Sequence, residues 1–267
     1  MTVYLVGAGP GDPELLTRRA ARLLAAADVV IYDRLVATEL LREARSDAIL
    51  INVGKHPRDG SSSTDQATIN ELLISHGRVR DLVVRLKGGD PFLFGRGGEE
   101  YDALVAAGVE CEIVPGVSSA LAVPALAGVP VTHRGVSASV TIASGHEVGG
   151  GTDWRILGSL TGTVVLLMAV AHRGEIAAQM IDGGRDPNTP VAIIESGTAP
   201  NERRQLTTLE YLGEAVVRAP AVIVVGGVAS RLNRLDMGHA QRSFDSSNWS
   251  EISDSLDRIG AVGTHSA

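Results

Sequence analysis

The chain has one cysteine, Cys111, among its 267 residues. A single thiol cannot build a disulfide framework, and the sequence has no cluster of histidines and cysteines that would form a structural zinc site. We therefore predict no metal site and expect a reducing compartment.

Aromatic residues are also scarce, at 3% of the chain. This is too few for a surface on which successive nucleic-acid bases stack. The formal net charge of −7 argues in the same direction, because general nucleic-acid binding needs a basic surface. We expect no nucleic-acid partner, although a local basic cleft is compatible with this charge.

No apolar run reaches the length of a membrane span without a glycine, a proline or a charge. The N-terminus also lacks a basic segment followed by a long apolar one. Hydrophobic residues nevertheless make up 44% of the chain, enough for one large core or two modest ones. We expect a cytoplasmic protein that does not interact with a membrane.

The stretch from Leu82 to Glu100 is the most informative part of the sequence. A β-branched run ends at Gly88-Gly89-Asp90, turns at Pro91 and reaches further glycines before a helical pattern resumes. Glycine lets a ligand approach the backbone, and an aspartate at the end of a buried strand can accept hydrogen bonds from hydroxyl or ammonium groups. This pattern predicts the floor of a binding cleft, and the alternative is an ordinary strand-to-helix loop.

Short apolar strands alternate with helical patterns along most of the chain. This alternation is typical of an α/β protein with mostly parallel sheets, which bind ligands beyond the carboxyl ends of the strands. A helix is predicted from Asp12 through Leu24, and two capping-box patterns predict helices that begin near Ser63 and Thr207. We predict two α/β domains, residues 1–117 and 118–234. The polar tail, residues 235–267, is either disordered or a short amphipathic helix.

Two kinds of function are compatible with single motifs. Gly7-Ala8-Gly9 after the first strand, with Asp33 after the second, would suit a nicotinamide-dependent oxidoreductase, but the third glycine of that fingerprint comes one position early. A non-enzymatic protein that binds anionic small molecules could use the cations Lys55, Arg58, Arg85, Lys87, Arg96 and Arg134.

Several longer motifs in a fixed order carry more information than these single loops. They are Val3–Thr17, Tyr32-Asp33-Arg34-Leu35-Val36, Val53-Gly54-Lys55, Val84–Phe92, Val114-Pro115-Gly116 and Pro130–Arg134. In this combination, over residues 3 to about 228, the chain resembles the S-adenosylmethionine-dependent tetrapyrrole methyltransferases. The resemblance implies two α/β domains with the methyl donor between them, S-adenosylhomocysteine as a product, a tetrapyrrole substrate and a homodimer.

The resemblance also assigns roles to positions. It implies proton transfer by Asp33 and Lys55. For the donor it implies contacts with Pro10, Gly88, Gly89, Asp90, Leu93, Ser118, Ser119, Met168 and Gly197. A carboxylate-rich tetrapyrrole would be drawn to cations, and the candidates are Arg34, Arg58, Lys87 and Arg134.

Each of these residues also has a plainer interpretation on its own. Met168 at the end of an apolar strand is most often core packing, and Ser118 and Ser119 are most often helix caps. The loop 56–63 departs from the family pattern, which affects the expected substrate contacts more than the donor contacts. Leu167-Met168-Ala169 likewise stands where the family usually has Tyr-Met-Gly.

Overall fold

The computed structural model describes residues 1–54, 64–146 and 151–232. Met1–Asn233 forms one compact unit, in which each half of the chain contributes its own sheet. Two of the predicted site residues, Lys55 and Arg58, lie outside the described residues, as does the predicted tail.

The first sheet is entirely parallel and has the order β3-β2-β4-β1-β5. Its strands are β1 (Thr2–Gly7), β2 (Val29–Tyr32), β3 (Ile49–Asn52), β4 (Leu82–Lys87) and β5 (Glu110–Val114). The helices of this half are α1 (Arg18–Ala26), α2 (Gln66–Gly77) and α3 (Gly97–Ala106), with a short 3-10 helix at Thr38–Glu43. Buried clusters cover both faces of the sheet, as the continuous apolar runs of its strands require.

The second sheet is mixed and has the order β6-β7-β10-β8-β9. Its strands are β6 (Val140–Ser144), β7 (Thr163–Leu167), β8 (Pro190–Glu195), β9 (Arg203–Thr208) and β10 (Ala221–Val225). Its helices are α4 (Ser119–Leu126), α5 (Trp154–Ser159) and α6 (Arg173–Asp182), with a 3-10 helix at Gly227–Arg231. The two-sheet α/β class is confirmed, but parallel pairing is limited here to β6 with β7, and the other pairings are antiparallel.

The helix predicted from Asp12 through Leu24 is two elements. The Asp12 carboxylate accepts a hydrogen bond from the Glu14 amide at 2.9 Å and caps only the 3-10 turn Pro13–Leu15. The backbone is then extended at Leu16, and the Thr17 hydroxyl accepts from the Ala20 amide to cap α1. Two successive caps divide the segment, because each one fixes a non-helical residue at its position.

The two capping-box predictions have different outcomes. The helix near Ser63 exists as α2, but its cap is Asp65, which accepts a hydrogen bond from the Thr68 amide at 2.7 Å. The helix predicted to begin at Thr207 is wrong, because Arg203–Thr208 is the edge strand β9 and pairs antiparallel with β8. The backbone groups of this segment are satisfied by the neighbouring strand, which a four-residue pattern does not reveal.

Helix α4 comes after β5. Its residues Ala120 and Val123 pack in the core cluster that covers one face of the second sheet, although the helix follows the first sheet in the chain. Within the described ranges, no helix has both the length and the apolar character needed to cross a bilayer.

Candidate active site

Three loops meet where β1, β4 and β5 end, as parallel strands require. Gly9 and Gly89 exchange backbone hydrogen bonds, at 3.2 Å from the Gly9 amide and 2.7 Å from the Gly89 amide. A Cβ on Gly116 would lie 2.2 Å from the Gly89 carbonyl oxygen, and one on Gly7 would lie 2.5 Å from the Gly116 Cα. Gly7 and Gly116 are therefore required by the contact between backbones, a role that the sequence analysis missed.

Gly89 differs from these two glycines. Its φ of +67° is in the left-handed region, but a Cβ there would meet only ordinary contacts, 3.8 Å from the Ser119 amide nitrogen and 3.9 Å from the Ser118 Cα. The structure thus brings Gly88, Gly89, Ser118 and Ser119 together, with space for a side chain on the Gly89 side. The Ser118 hydroxyl also caps α4 by accepting from the Ala120 amide at 3.2 Å, so its plainer interpretation as a helix cap is confirmed.

The Asp90 carboxylate joins two of these loops. One oxygen accepts a hydrogen bond from the Phe92 amide at 2.9 Å, and the other accepts from the Gly116 amide at 3.0 Å. The side chain predicted to receive ligand donors is therefore already bound by the backbone, and its role in the described structure is to hold the loops together. Leu93, three residues later, packs partly buried against the core of the second sheet.

The second half of the chain reaches the same loops. The Thr198 hydroxyl donates to the Pro10 carbonyl at 3.1 Å. Gly197 packs closely on α4, since a Cβ there would lie 2.4 Å from Val123. Contacts from both sheets thus converge at Pro10 and Gly197, two of the residues predicted from the family motifs.

Among the described residues of this half, three that are not glycine have left-handed backbones: Met168 at +55°, Ser196 at +48° and Thr198 at +73°. Such strain persists only where the surroundings impose it, and it is concentrated at functional sites. Met168 is also 46% exposed, so the interpretation of this residue as core packing is wrong. Met168 is itself a position that the resemblance assigns to the donor, and Ser196 and Thr198 flank another, Gly197.

A cluster of four charged side chains lies beneath the end of β2. Arg85 and Lys87 are each 2% exposed, Glu100 is fully buried and the Asp33 side chain is 33% exposed. Arg85 donates to Asp33 Oδ1 at 2.6 Å and to Glu100 Oε1 at 3.0 Å. Lys87 donates to Glu100 Oε1 at 2.9 Å and lies 3.9 Å from Asp33 Oδ2. The predicted acid–base residue Asp33 is therefore the solvent-facing member of a buried ion network.

Lys87 does not fit the expectation that it contacts substrate from a cleft surface. Its ammonium is buried and paired with Glu100, a residue that the sequence analysis did not single out. Burial, followed by repulsion from Arg85, lowers the pKa of Lys87, and attraction by Glu100 and Asp33 opposes this shift. A signal was available in the sequence, since two basic residues at a spacing of two in a buried strand require a buried carboxylate.

Arg34 and Arg134 are exposed, as a substrate-contacting role requires. The backbone of Arg34 lies against Gly54, where an added Cβ would come within 2.4 Å of the Arg34 amide nitrogen. Arg134 lies in a turn, residues 132–138, that borders a cavity of about 640 Å³. Over the described ranges, no hydrogen bond or ion pair joins Arg134 to Asp33, and no group of three or more acidic, histidine or cysteine side chains could hold a metal ion.

The nicotinamide interpretation is weakened by the same contacts. The amides of Ala8 and Gly9 donate to the carbonyls of Lys87 and Gly89, so they do not face a pyrophosphate. Asp33, which would receive the ribose hydroxyl, is bound by Arg85 instead.

Comparison with known proteins agrees with the motifs. Residues 2–213 match the family model of the tetrapyrrole (corrin/porphyrin) methylases. The chain is 48% identical over 234 residues to an S-adenosyl-L-methionine-dependent uroporphyrinogen III methyltransferase of Methanosarcina barkeri, covering 85% of this chain and 91% of the relative. It is 43% identical over 238 residues to a siroheme synthase of Psychromonas ingrahamii, covering 87% of this chain and 50% of that relative.

A solved structure has the same fold. The crystal structure of uroporphyrin-III C-methyl transferase from Thermus thermophilus, complexed with S-adenosylhomocysteine, superposes with a TM-score of 0.76 at 45% identity. The match covers 86% of this chain and 99% of that one.

Proposed function

The chain belongs to the tetrapyrrole methylase family, and we propose that it transfers methyl groups from S-adenosylmethionine to carbons 2 and 7 of uroporphyrinogen III. The product is precorrin-2, formed by way of precorrin-1, in sirohaem or cobalamin biosynthesis. The observation that supports this function most strongly is the 48% identity to a uroporphyrinogen III methyltransferase, a relative that the match covers over 91% of its length.

The described residues fit the methyl donor. Gly89 leaves space between its α-carbon and the loop 118–119, and the strained, half-exposed Met168 lies at the end of β7. We place the donor against Pro10, Gly88, Gly89, Leu93, Ser118, Ser119, Met168 and Gly197. Asp90 supports this site by bonding the amides of Phe92 and Gly116.

S-adenosylmethionine supplies an electrophilic methyl group, so the protein needs no metal or covalent intermediate for the transfer to an electron-rich pyrrole carbon. The contribution of the loops is alignment, which can supply roughly 7–11 kcal/mol in favourable cases. Holding the substrate carbon close to the methyl group is therefore the main task of the glycine loops and of Met168.

We assign proton transfer to Asp33, with Lys55 as its partner. Asp33 Oδ1 is held by Arg85, whereas Oδ2 is 3.9 Å from Lys87 and belongs to a side chain that is one-third exposed. One oxygen is thus anchored and the other is available to take up the proton that the pyrrole ring loses. A positioned base contributes about 10²–10⁴-fold to a rate.

Uroporphyrinogen III is rich in carboxylates, and we assign its recognition to Arg34, Arg58 and Arg134. The exposed side chains of Arg34 and Arg134 can pair with carboxylates, whereas the buried Lys87 is withdrawn from this set. We further propose two domains that meet at residues 117–118, a homodimer and a cytoplasmic location.

Another precorrin or cobalt-precorrin methyltransferase of the same family is the alternative function. Parallel incubations with S-adenosylmethionine labelled in the methyl group, using uroporphyrinogen III in one and precorrin-2 in the other, separate the two. We expect the label to be transferred to uroporphyrinogen III. Transfer to precorrin-2 should not exceed the background. Transfer to precorrin-2 alone would contradict the proposal and support the alternative.

A further inference from the structure

Strand β4 has two cations on a face of the first sheet whose other strand residues are apolar. Ile31 of β2 is in register with Arg85, so Asp33 and Lys87, each two residues further along, lie on the same side of neighbouring strands. Four charges thus share one small volume: two cations from β4, Asp33 after β2 and Glu100 from α3.

Glu100 holds both cations through one atom. Its Oε1 accepts from Arg85 Nε at 3.0 Å and from Lys87 Nζ at 2.9 Å, and among the described residues Oε2 has no hydrogen-bond partner. Arg85 then uses its other nitrogens for Asp33 and the Ile31 carbonyl. The order of contacts therefore runs from the buried Glu100, through the cations, to the partly exposed Asp33.

The charges of this cluster balance only when Glu100 is present. Without it, Asp33 would be the one carboxylate of the described residues within 4.0 Å of Arg85 and Lys87, and buried cations without partners are costly. Other charged or titratable groups of the described residues lie near the cluster. Glu99 interacts electrostatically with Lys87, and both Arg96 and Cys111 interact electrostatically with Glu100. Arg34 is the neighbour of Asp33 in the sequence.

We infer that Glu100 is a positioning residue for Asp33, acting through Arg85 and Lys87. It fixes the guanidinium that anchors one oxygen of Asp33, and its negative charge balances one of the two buried cations. The catalytic consequence rests on the proposed function, whereas the hold of Glu100 on Asp33 does not.

The test compares Glu100→Gln with Glu112→Gln. The control also removes one carboxylate from an Arg–Glu pair, but that pair, Arg19 of α1 with Glu112 of β5, is exposed. The first measurement is the ¹³C NMR signal of the Asp33 carboxyl group in the donor-free protein. This signal is assigned by comparison with the Asp33→Asn variant, which lacks the carboxyl group. We expect this signal to change in Glu100→Gln and to stay unchanged in Glu112→Gln.

The second measurement is the single-turnover rate across pH. In Glu100→Gln we expect a plateau rate at least about tenfold lower, because Arg85 is no longer held in the position from which it anchors Asp33. S-adenosylhomocysteine affinity should stay within about twofold of the wild type, because the donor loops are untouched. Combining Glu100→Gln with Asp33→Asn should add no further loss of rate, since the first acts through the second.

An unchanged Asp33 signal in folded Glu100→Gln would overturn the inference. It would also be overturned if the double variant lost rate by the product of the two single losses, because Glu100 and Asp33 would then act independently. If instead Asp33→Asn retained the wild-type rate, the assignment of Asp33 as the base would be wrong. The NMR signal of Asp33 would still show whether Glu100 positions this side chain. If Glu100→Gln does not fold, Arg85→Lys replaces it, because lysine keeps the charge but lacks the planar guanidinium fork that donates to Glu100 and Asp33 from different nitrogens. An unchanged Asp33 signal in that variant would also overturn the inference.

Discussion

A pair of glycine substitutions separates backbone strain from ligand contact. Gly89 and Gly108 have almost the same φ, +67° and +69°, and neither has a neighbour closer than 3.8 Å to an added Cβ. Alanine in a left-handed conformation costs about 1–2 kcal/mol, so Gly89→Ala and Gly108→Ala should destabilise the protein equally. For a chain of this size that corresponds to a fall in Tm of about 2–8 °C in each variant.

Donor binding should distinguish the two variants. Gly108 follows α3, whereas Gly89 faces the loop 118–119, where we place the donor. We expect S-adenosylhomocysteine affinity, measured by calorimetry, to fall at least about tenfold in Gly89→Ala, which is 1.4 kcal/mol, and to stay at the wild-type value in Gly108→Ala. Wild-type affinity in Gly89→Ala would refute the placement of the donor at this loop.

Three further substitutions or treatments have defined outcomes. Asp33→Asn should lower the single-turnover rate by about 10²–10⁴-fold with donor affinity nearly intact, and a wild-type rate would exclude the base assignment. Asp90→Ala leaves the amides of Phe92 and Gly116 without their acceptors, so we expect the free energy of unfolding in urea to fall by about 1.5–3 kcal/mol together with donor affinity. Burial is the main cause that raises the pKa of Cys111 to about 12. Iodoacetamide at pH 8 should therefore react much more slowly with the native chain than with the unfolded one, and faster as the pH rises towards that value; equal rates would contradict this.

The sequence predicted best where local pattern and burial agree. The second strand was predicted to end before Asp33, and β2 (Val29–Tyr32) does so, because an unbroken apolar run fits a strand buried on both faces. Strand β9 was missed because it is an edge strand with exposed positions and a cap-like pattern at its end.

The site was predicted only in part, for a related reason. Family motifs pointed to Gly89, Ser118 and Met168; the structure places Gly89 beside Ser118, and Met168 at the end of β7. They did not reveal Glu100, since its importance arises from a contact with β4 that the helical pattern of α3 does not show. Nor did they separate Gly116, which is needed for backbone contact, from Gly89, which has space beside it.

The positions of methylation test the central claim most directly. Uroporphyrinogen III is incubated with S-adenosylmethionine that carries a ¹³C-labelled methyl group, and the product is examined by NMR. We predict two labelled methyl groups, at carbons 2 and 7, with a singly labelled intermediate at early times. Label at any other carbon, or no label in the tetrapyrrole, would contradict the assignment of this chain as the enzyme that converts uroporphyrinogen III into precorrin-2.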